Sequence, residues 1–217
     1  MELSNDRGNR MNYLFLLIIV VFISIIIKMH IYPKSNESKF IQWFLGTYIE
    51  RKFIFLIDIF LGVLYLILYK RYGFSVSFFL YVALASILLT ISIIDIKVKI
   101  IPDKLIVLGS ILGLINILLN NNPSIISGLL GLGICGGLMG IISMLTKGAL
   151  GMGDAKLFAC IGIFWGLRAT LGIMLMSTIL SGLAGLVLLA FRMAHRKTTL
   201  PFAPFIFAAT IFMMISK

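Results

Sequence analysis

Long apolar stretches separated by short charged connections are the feature that most limits how this chain folds. A membrane-spanning helix needs about 20 predominantly apolar residues, and stretches of this kind recur along all 217 residues. We therefore predict an all-α, polytopic membrane protein with about eight transmembrane helices. The predicted spans are residues 12–28, 53–69, 74–95, 104–119, 124–145, 155–167, 170–191 and 201–216.

The composition supports a membrane protein and argues against a nucleic-acid-binding one. Hydrophobic residues make up 60% of the chain, and the formal net charge is +11. The Lys and Arg residues are scattered in short groups between apolar runs, whereas a nucleic-acid site would gather them into a patch. We therefore expect the lipid bilayer as a partner and no nucleic acid.

The positions of the basic residues predict the topology. Thirteen of the nineteen Lys and Arg residues fall in the connections after the first, third, fifth and seventh predicted spans, so these connections are assigned to the cytoplasm. Both termini then lie outside, and the stretch 155–191 forms two spans with a turn at Arg168. The first span is interpreted as an anchor, since no small-residue cleavage site follows it. We divide the chain into an anchor with its connection, 1–52, and a membrane-embedded domain, 53–217.

Acidic residues are scarce, and their positions suggest a catalytic pair. Beyond residue 50 there are four: Asp58, Asp95, Asp103 and Asp154. Asp95 ends the third predicted span and Asp154 opens the sixth, so both are predicted at the cytoplasmic face. A carboxylate near the hydrocarbon core costs at least about 2.5 kcal/mol, and two neighbouring carboxyl groups tend to share one proton. Such a pair can activate water as in an aspartic protease.

We interpret Asp154 as the charged base and Asp95 as the protonated partner, with Gly151 and Gly153 supplying backbone freedom beside them. Simpler roles stay open. Asp154 is also suited to cap a helix, and Asp95 to lie at the interface beside basic residues. For Asp103 we favour capping, and for Asp58 helix packing. Two other classes of protein also remain: a small proton- or ion-coupled transporter that uses the same aspartates, and a non-catalytic scaffold.

The remaining small residues are interpreted as packing residues. Cys135 and Cys160 both lie in apolar segments, so we predict no disulfide, metal site or cofactor. Glycines four residues apart, Gly133 with Gly137 and Gly136 with Gly140, indicate close helix packing or room for a substrate helix.

Four segments resemble the signatures of type IV prepilin peptidases, which are GxGD intramembrane aspartyl proteases. GMGD at 151–154 is similar to the GxGD motif, and IIDIKVKIIPDKL at 93–105 places Asp95 seven residues before the proline of an Ile-Pro-Asp. LPFAPFIFAA at 200–209 is similar to the Pro-Phe-Gly-Pro segment that starts the last span, with Ala203 in place of glycine. FIFLIDIFLGVLYLILYKRYG at 53–73 resembles the second span, with Asp58 where glutamate is common.

The resemblance implies that Asp95 and Asp154 are catalytic, and that Gly151, Gly153, Pro102, Asp103, Lys156 and Asp58 support substrate binding or the site. It implies a bacterial inner-membrane enzyme that removes the basic leader of type IV prepilins or pseudopilins after a glycine, at the cytoplasmic face. Bifunctional members carry paired zinc-binding cysteines between the first two spans. Here that connection, HIYPKSNESKFIQWFLGTYIERK, has no cysteine, so we expect peptidase activity without N-methyltransferase activity.

Overall fold

The computed structural model describes residues 48–146, 151–192 and 200–216, and within these ranges every element is helical. We label the helices α1 to α6 in chain order; α4 contains a π-helical segment, and α5 contains a break. The all-α prediction is confirmed for the described residues. The bounds are Tyr48–Tyr72 for α1, Val76–Val98 for α2, Asp103–Asn120 for α3, Ile125–Leu145 for α4, Met152–Ala190 for α5 and Ala203–Ser216 for α6.

Four of the described helices, α2 to α5, are long and apolar enough to cross a membrane, and α6 is a shorter apolar helix. The chain divides into two compact units, Met1–Gly73 and Phe74–Lys217, so α1 belongs to a different unit from α2 to α6. The predicted span 12–28 lies outside the described residues. The total of eight spans, the outside location of the termini and the division at residue 52 remain predictions.

Helix boundaries place both aspartates inside helices. The hydroxyl oxygen of Ser75 accepts a hydrogen bond from the Phe78 N–H at 3.2 Å and caps the start of α2. α2 continues to Val98 and ends at Lys99, whose φ is 57°, so Asp95 lies in the last turn. α5 begins at Met152, so Asp154 lies in the first turn. The third predicted span ended at residue 95 and the sixth began at residue 155. The prediction therefore left out the last residues of α2 and the first residues of α5.

The first arm of α5, residues 152–165, forms the centre of the larger unit. Most of its side chains are buried, and it packs against α3, α4 and α6. A Cβ atom on Gly131 of α4 would lie 2.6 Å from the Gly162 carbonyl oxygen of α5. A Cβ on Gly136 would lie 2.6 Å from the Ala159 Cβ. The two backbones can therefore approach this closely only where side chains are absent.

The glycines that make the close contact differ from those predicted. A Cβ atom added to Gly133, Gly137 or Gly140 would meet no atom of the described residues within 4 Å, so these glycines mediate no close packing within the part of the chain that the structure describes. The cause is the π-helical segment Gly131–Gly136 within α4. A π-helix has more residues per turn than an α-helix, so the four-residue spacing assumed from an α-helix selects the wrong face. The prediction of close packing by the pairs Gly133 with Gly137 and Gly136 with Gly140 was wrong, except at Gly136.

The chain folds back on itself inside α5. Gly166 has φ 75° and ψ 175°, a conformation that is essentially restricted to glycine. In a continuous helix nine residues span about 13.5 Å, yet the Thr170 hydroxyl lies 3.3 Å from the Ile161 carbonyl oxygen. α5 therefore consists of two arms, residues 152–165 and 167–190. The predicted turn at Arg168 agrees with a break two residues earlier.

Side chains from α3 and α4 satisfy the backbone groups that this break releases. Asn116 donates its side-chain N–H to the Phe164 carbonyl oxygen at 3.0 Å. The Ser127 hydroxyl oxygen accepts a hydrogen bond from the Leu167 N–H at 3.2 Å. Within a bilayer, interrupted helices are tolerated where neighbouring helices supply such partners. The break is therefore held by α3 and α4.

The substitution Gly131→Ala is expected to destabilise the protein by about 1–3 kcal/mol, because its Cβ would force α4 away from α5. Gly133→Ala is the matched control in the same π-helical segment, where the added methyl group meets no atom within 4 Å. Thermal unfolding in detergent should show a lower midpoint for Gly131→Ala alone. Equal midpoints for the two variants would contradict the assigned contact.

Gly166→Ala is expected to cost at least about 1–3 kcal/mol, because an alanine side chain disfavours the observed φ and ψ. Its Cβ would also lie 2.7 Å from the Cβ of Pro123. Gly182→Ala, in the helical second arm with open space around the new methyl group, is the control and should be neutral or slightly stabilising. A Gly166→Ala variant as stable as the control would show that the chain continues through residue 166 as an ordinary helix.

Candidate active site

Asp95 and Asp154 are both buried, with exposed fractions of 7% and 8%. Asp95 is carried by the last turn of α2, and Asp154 by the first turn of α5. Helix α6 packs against both of these helices, and the two carboxyl groups are close enough to interact electrostatically. The structure therefore brings the two predicted residues to the same region of the larger unit.

The Asp95 carboxyl group is held by the start of α6. Its Oδ2 atom accepts a hydrogen bond from the Ala203 N–H at 3.0 Å. The last turn of a helix is unfavourable for an acidic group, because the carbonyl end of the helix dipole carries negative charge. The first N–H groups of α6 offer compensation, since they lack partners within their own helix. Asp95 thus lies where one helix ends and another begins.

The Asp154 carboxyl group lies beside the backbone of Gly151. Asp154 is the third residue after Gly151, the N-cap of α5, and a Cβ atom on Gly151 would lie 3.0 Å from its Oδ2 atom. This is the position that the acidic residue of a capping box occupies. Its Oδ1 atom is buried and has no hydrogen-bond partner among the described residues. An open acceptor of this kind is suited to receive a water molecule or a substrate group.

The two glycines of GMGD supply space instead of unusual backbone angles. Neither has a positive φ, so neither adopts a conformation restricted to glycine, and their predicted role in backbone freedom and substrate approach remains a prediction. A Cβ on Gly151 would lie 3.0 Å from the Asp154 Oδ2 atom, and a Cβ on Gly153 would lie 3.0 Å from the Cβ of Ile101. Gly151 therefore leaves room for the carboxyl group. Gly153 lets the connection between α2 and α3 lie against α5.

Asp103 and Lys156 form an ion pair between the starts of α3 and α5. The Lys156 Nζ atom lies 2.7 Å from the Asp103 Oδ1 atom, and the side chains are 53% and 70% exposed, respectively. Pro102 is the N-cap of α3, and the cap makes no side-chain hydrogen bond. The capping role expected for Asp103 was therefore wrong, because its carboxylate contacts Lys156 of another helix.

Asp58 lies on α1, in the other compact unit, and its supporting role remains a prediction. Sequence reasoning missed two contributors to the site, Ser92 and Ile101. The Ser92 hydroxyl contacts the Ala203 carbonyl oxygen at 3.2 Å, and Ile101 packs against Gly153. The available signal for Ser92 was its position three residues before Asp95, since this spacing places both on one face of a helix.

A cavity of about 340 Å³ lies beside the ion pair, between α3, α4 and α5. Its lining residues on α5 are Lys156, Ala159, Cys160 and Ile163. With 3.6 residues per turn, these positions face away from Asp154, so the cavity is separate from the aspartate pair. Among the described residues, no three His, Cys, Asp or Glu side chains are grouped as metal ligands would be.

The fold and the site define a helical, multi-pass membrane protein with two buried carboxyl groups from different helices. Residues 82–190, which include Asp95 and Asp154, match the profile of the type IV leader peptidase family. The chain belongs to this family.

Three curated relatives are similar to the chain, and each is described as a prepilin leader peptidase/N-methyltransferase. The protein from Bacillus subtilis is 32% identical over 142 residues, 65% of this chain and 57% of its own length. Those from Xanthomonas campestris and Pseudomonas putida are both 30% identical, over 63% and 70% of this chain and 49% and 54% of their own lengths. The chain thus spans about half the length of the relatives it matches. No solved structure matches it significantly.

Loss of the exposed Asp103–Lys156 pair is expected to change stability by less than about 1 kcal/mol, because solvent screens both charges. The measurement is a double-mutant cycle of Asp103→Asn and Lys156→Gln, read by thermal unfolding in detergent at low and high salt. The coupling between the two residues should be small and should decrease with salt. A coupling above about 2 kcal/mol would indicate a desolvated pair that is integral to the fold.

Proposed function

We propose that this protein is an aspartic-type prepilin leader peptidase, in which Asp95 and Asp154 activate water. The observation that carries the proposal is the pair of buried carboxyl groups at the end of α2 and the start of α5, within the segment that matches the leader peptidase family. The relatives named above are described as prepilin leader peptidases, so type IV prepilins or pseudopilins are the proposed substrates.

The proposed reaction is general acid–base hydrolysis of one peptide bond. One carboxylate takes a proton from the water while the protonated partner donates a hydrogen bond to the scissile carbonyl oxygen, and that proton later reaches the leaving amine. The open Oδ1 atom of Asp154 suits contact with the water or the carbonyl group. The Ala203 N–H holds the Oδ2 atom of Asp95, and the Oδ2 atom of Asp154 lies beside the Gly151 backbone.

The proposed cleavage follows a glycine that precedes the hydrophobic helix of the substrate, at the cytoplasmic face of the inner membrane. The basic residues Lys97, Lys99 and Lys156 lie near the aspartate pair in the chain, which supports a cytoplasmic location under the positive-inside rule. A glycine before the cut would help the substrate backbone to unwind, since glycine weakens a helix by about 1 kcal/mol.

Family membership favours a peptidase over the transporter that was the alternative interpretation. A transporter would be expected to distribute its acidic residues through the depth of the membrane. In the larger unit, Asp95, Asp103 and Asp154 instead lie at the end of α2, the start of α3 and the start of α5. We also propose that the protein lacks methyltransferase activity, because the connection at residues 30–52 contains no cysteine; most of that connection lies outside the described residues.

Asp95→Asn and Asp154→Asn are each expected to lower leader removal by at least about 100-fold, since general acid–base groups contribute about 10²–10⁴-fold. The measurement is co-expression with a candidate prepilin, followed by mass spectrometry of the product. The parent should release a product that begins directly after the glycine, with an unmodified amino terminus.

Asp58→Asn and Asp103→Asn serve as matched controls, because they make the same chemical change at the other two acidic positions beyond residue 50. Both should lose much less cleavage than Asp95→Asn and Asp154→Asn, because their expected roles are supporting ones. Cleavage retained in Asp95→Asn or Asp154→Asn would refute the pair, and loss confined to the controls would place the site elsewhere. A methylated product would contradict the proposed absence of methyltransferase activity.

A further inference from the structure

Helix α2 holds both backbone polar groups of Ala203, the first residue of α6. The Ala203 N–H donates to the Asp95 Oδ2 atom at 3.0 Å. The Ala203 carbonyl oxygen accepts a hydrogen bond from the Ser92 hydroxyl at 3.2 Å. Ser92 and Asp95 are three residues apart in α2, so they lie on the same face. One residue of α6 therefore connects a buried hydroxyl to a buried carboxyl group.

The Ser92 hydroxyl reaches a carbonyl oxygen of another helix in addition to one in its own helix. The single O–H of Ser92 is shared, because the hydroxyl also lies 2.7 Å from the Leu88 carbonyl oxygen one turn earlier; the contact with Ala203 is the longer branch of a three-centre hydrogen bond. Thr90, on the same helix, bonds the Ser86 carbonyl oxygen one turn earlier at 2.8 Å. Both side chains are buried, with exposed fractions of 3% and 5%. Ser92 differs in reaching the neighbouring helix.

The orientation of Ala203 determines whether its N–H meets Asp95. Pro201 and Pro204 flank this position, and neither proline can donate a backbone hydrogen bond. Ala203 is 1% exposed, so water has little access to its backbone. A hydroxyl group that holds the Ala203 carbonyl oxygen therefore helps to fix the direction of the adjacent N–H.

We propose that Ser92 is a positioning residue, which fixes Ala203 so that its N–H orients the Asp95 carboxyl group for catalysis. The inference rests on the proposed peptidase function and deepens it by naming a residue that acts through another. In a chain of hydrogen bonds each member supports the next. Loss of the Ser92 hydroxyl should therefore affect the reaction step more than substrate binding.

The test compares three variants in a detergent-solubilised cleavage assay with a purified prepilin. Ser92→Ala should lower kcat by about three- to tenfold, the effect of one lost hydrogen bond, with KM within about twofold of the parent. Ser92→Thr keeps the hydroxyl and should restore most of kcat. Thr90→Val removes a buried hydroxyl from the same helix and should leave kcat unchanged. Thermal unfolding of each variant checks that the compared enzymes are folded.

A double-mutant cycle tests whether Ser92 acts through the Ala203 N–H. Ala203→Pro removes this N–H at the first position of a helix, where proline is tolerated. If the proposal is correct, Ser92→Ala should lower kcat in the parent and cause no further decrease in the Ala203→Pro protein. An equal decrease in both backgrounds would overturn the assigned route.

The outcomes separate this inference from the proposed function. The peptidase function stands if the parent cleaves the prepilin and Asp95→Asn does not. If, in that case, Ser92→Ala has the same kcat as Thr90→Val, the positioning role of Ser92 is refuted. Equal loss in Ser92→Ala and Ser92→Thr would also refute the role of the hydroxyl. If the parent fails to cleave or Asp95→Asn cleaves normally, the proposed function itself fails, and the positioning role fails with it.

Discussion

The close approach of α4 to the first arm of α5 is the contact on which the larger unit depends. Gly131 and Gly162 lie with their backbones nearly touching, because neither has a side chain. In a bilayer, helix association gains little from the hydrophobic effect and relies on close packing of this kind. The contact makes the first arm of α5 a buried central helix and carries Asp154 at its start into the protein interior. A packing constraint far from the acids thus determines where one of them lies.

The aspartate pair follows from how helix ends are placed around that central arm. α6 packs against both α2 and α5, so its N-terminal N–H groups meet the last turn of α2, where Asp95 lies. Asp154 lies at the start of α5, with its Oδ2 atom beside the Gly151 backbone. Helix N-termini accommodate negative charge. Two acidic residues can therefore be buried in the same unit, because each lies beside the start of a helix.

The positions of Asp95 and Asp154 near helix ends and the break in α5 could be predicted from the sequence, because both depend on local signals. Acidic residues are so rare that Asp95 and Asp154 are conspicuous, and Arg168 marks a charged point within an overlong apolar run. The packing glycines could not be chosen correctly, since the π-helical segment in α4 changes which residues face α5. Nor could the link from Ser92 to Ala203 be found, because it joins residues 111 positions apart and depends on how α2 and α6 pack.

Among the described residues the buried Oδ1 atom of Asp154 has no hydrogen-bond partner, which fits the proposed reaction better than a purely structural role. A buried acceptor without a partner costs about 1–3 kcal/mol, and a capping role alone would not require it, since Oδ2 already lies beside Gly151. For the stability of the fold alone, a residue without a buried, unpaired polar atom would be more favourable than aspartate at position 154. Retaining a carboxyl group with one side beside the backbone and one open side makes sense if the open side receives a water molecule or a substrate carbonyl group. At Asp95 the Ala203 N–H holds one oxygen, Oδ2, and at Asp154 the Oδ2 atom lies beside the Gly151 backbone, so each carboxyl group has one oxygen next to the backbone at the start of a helix.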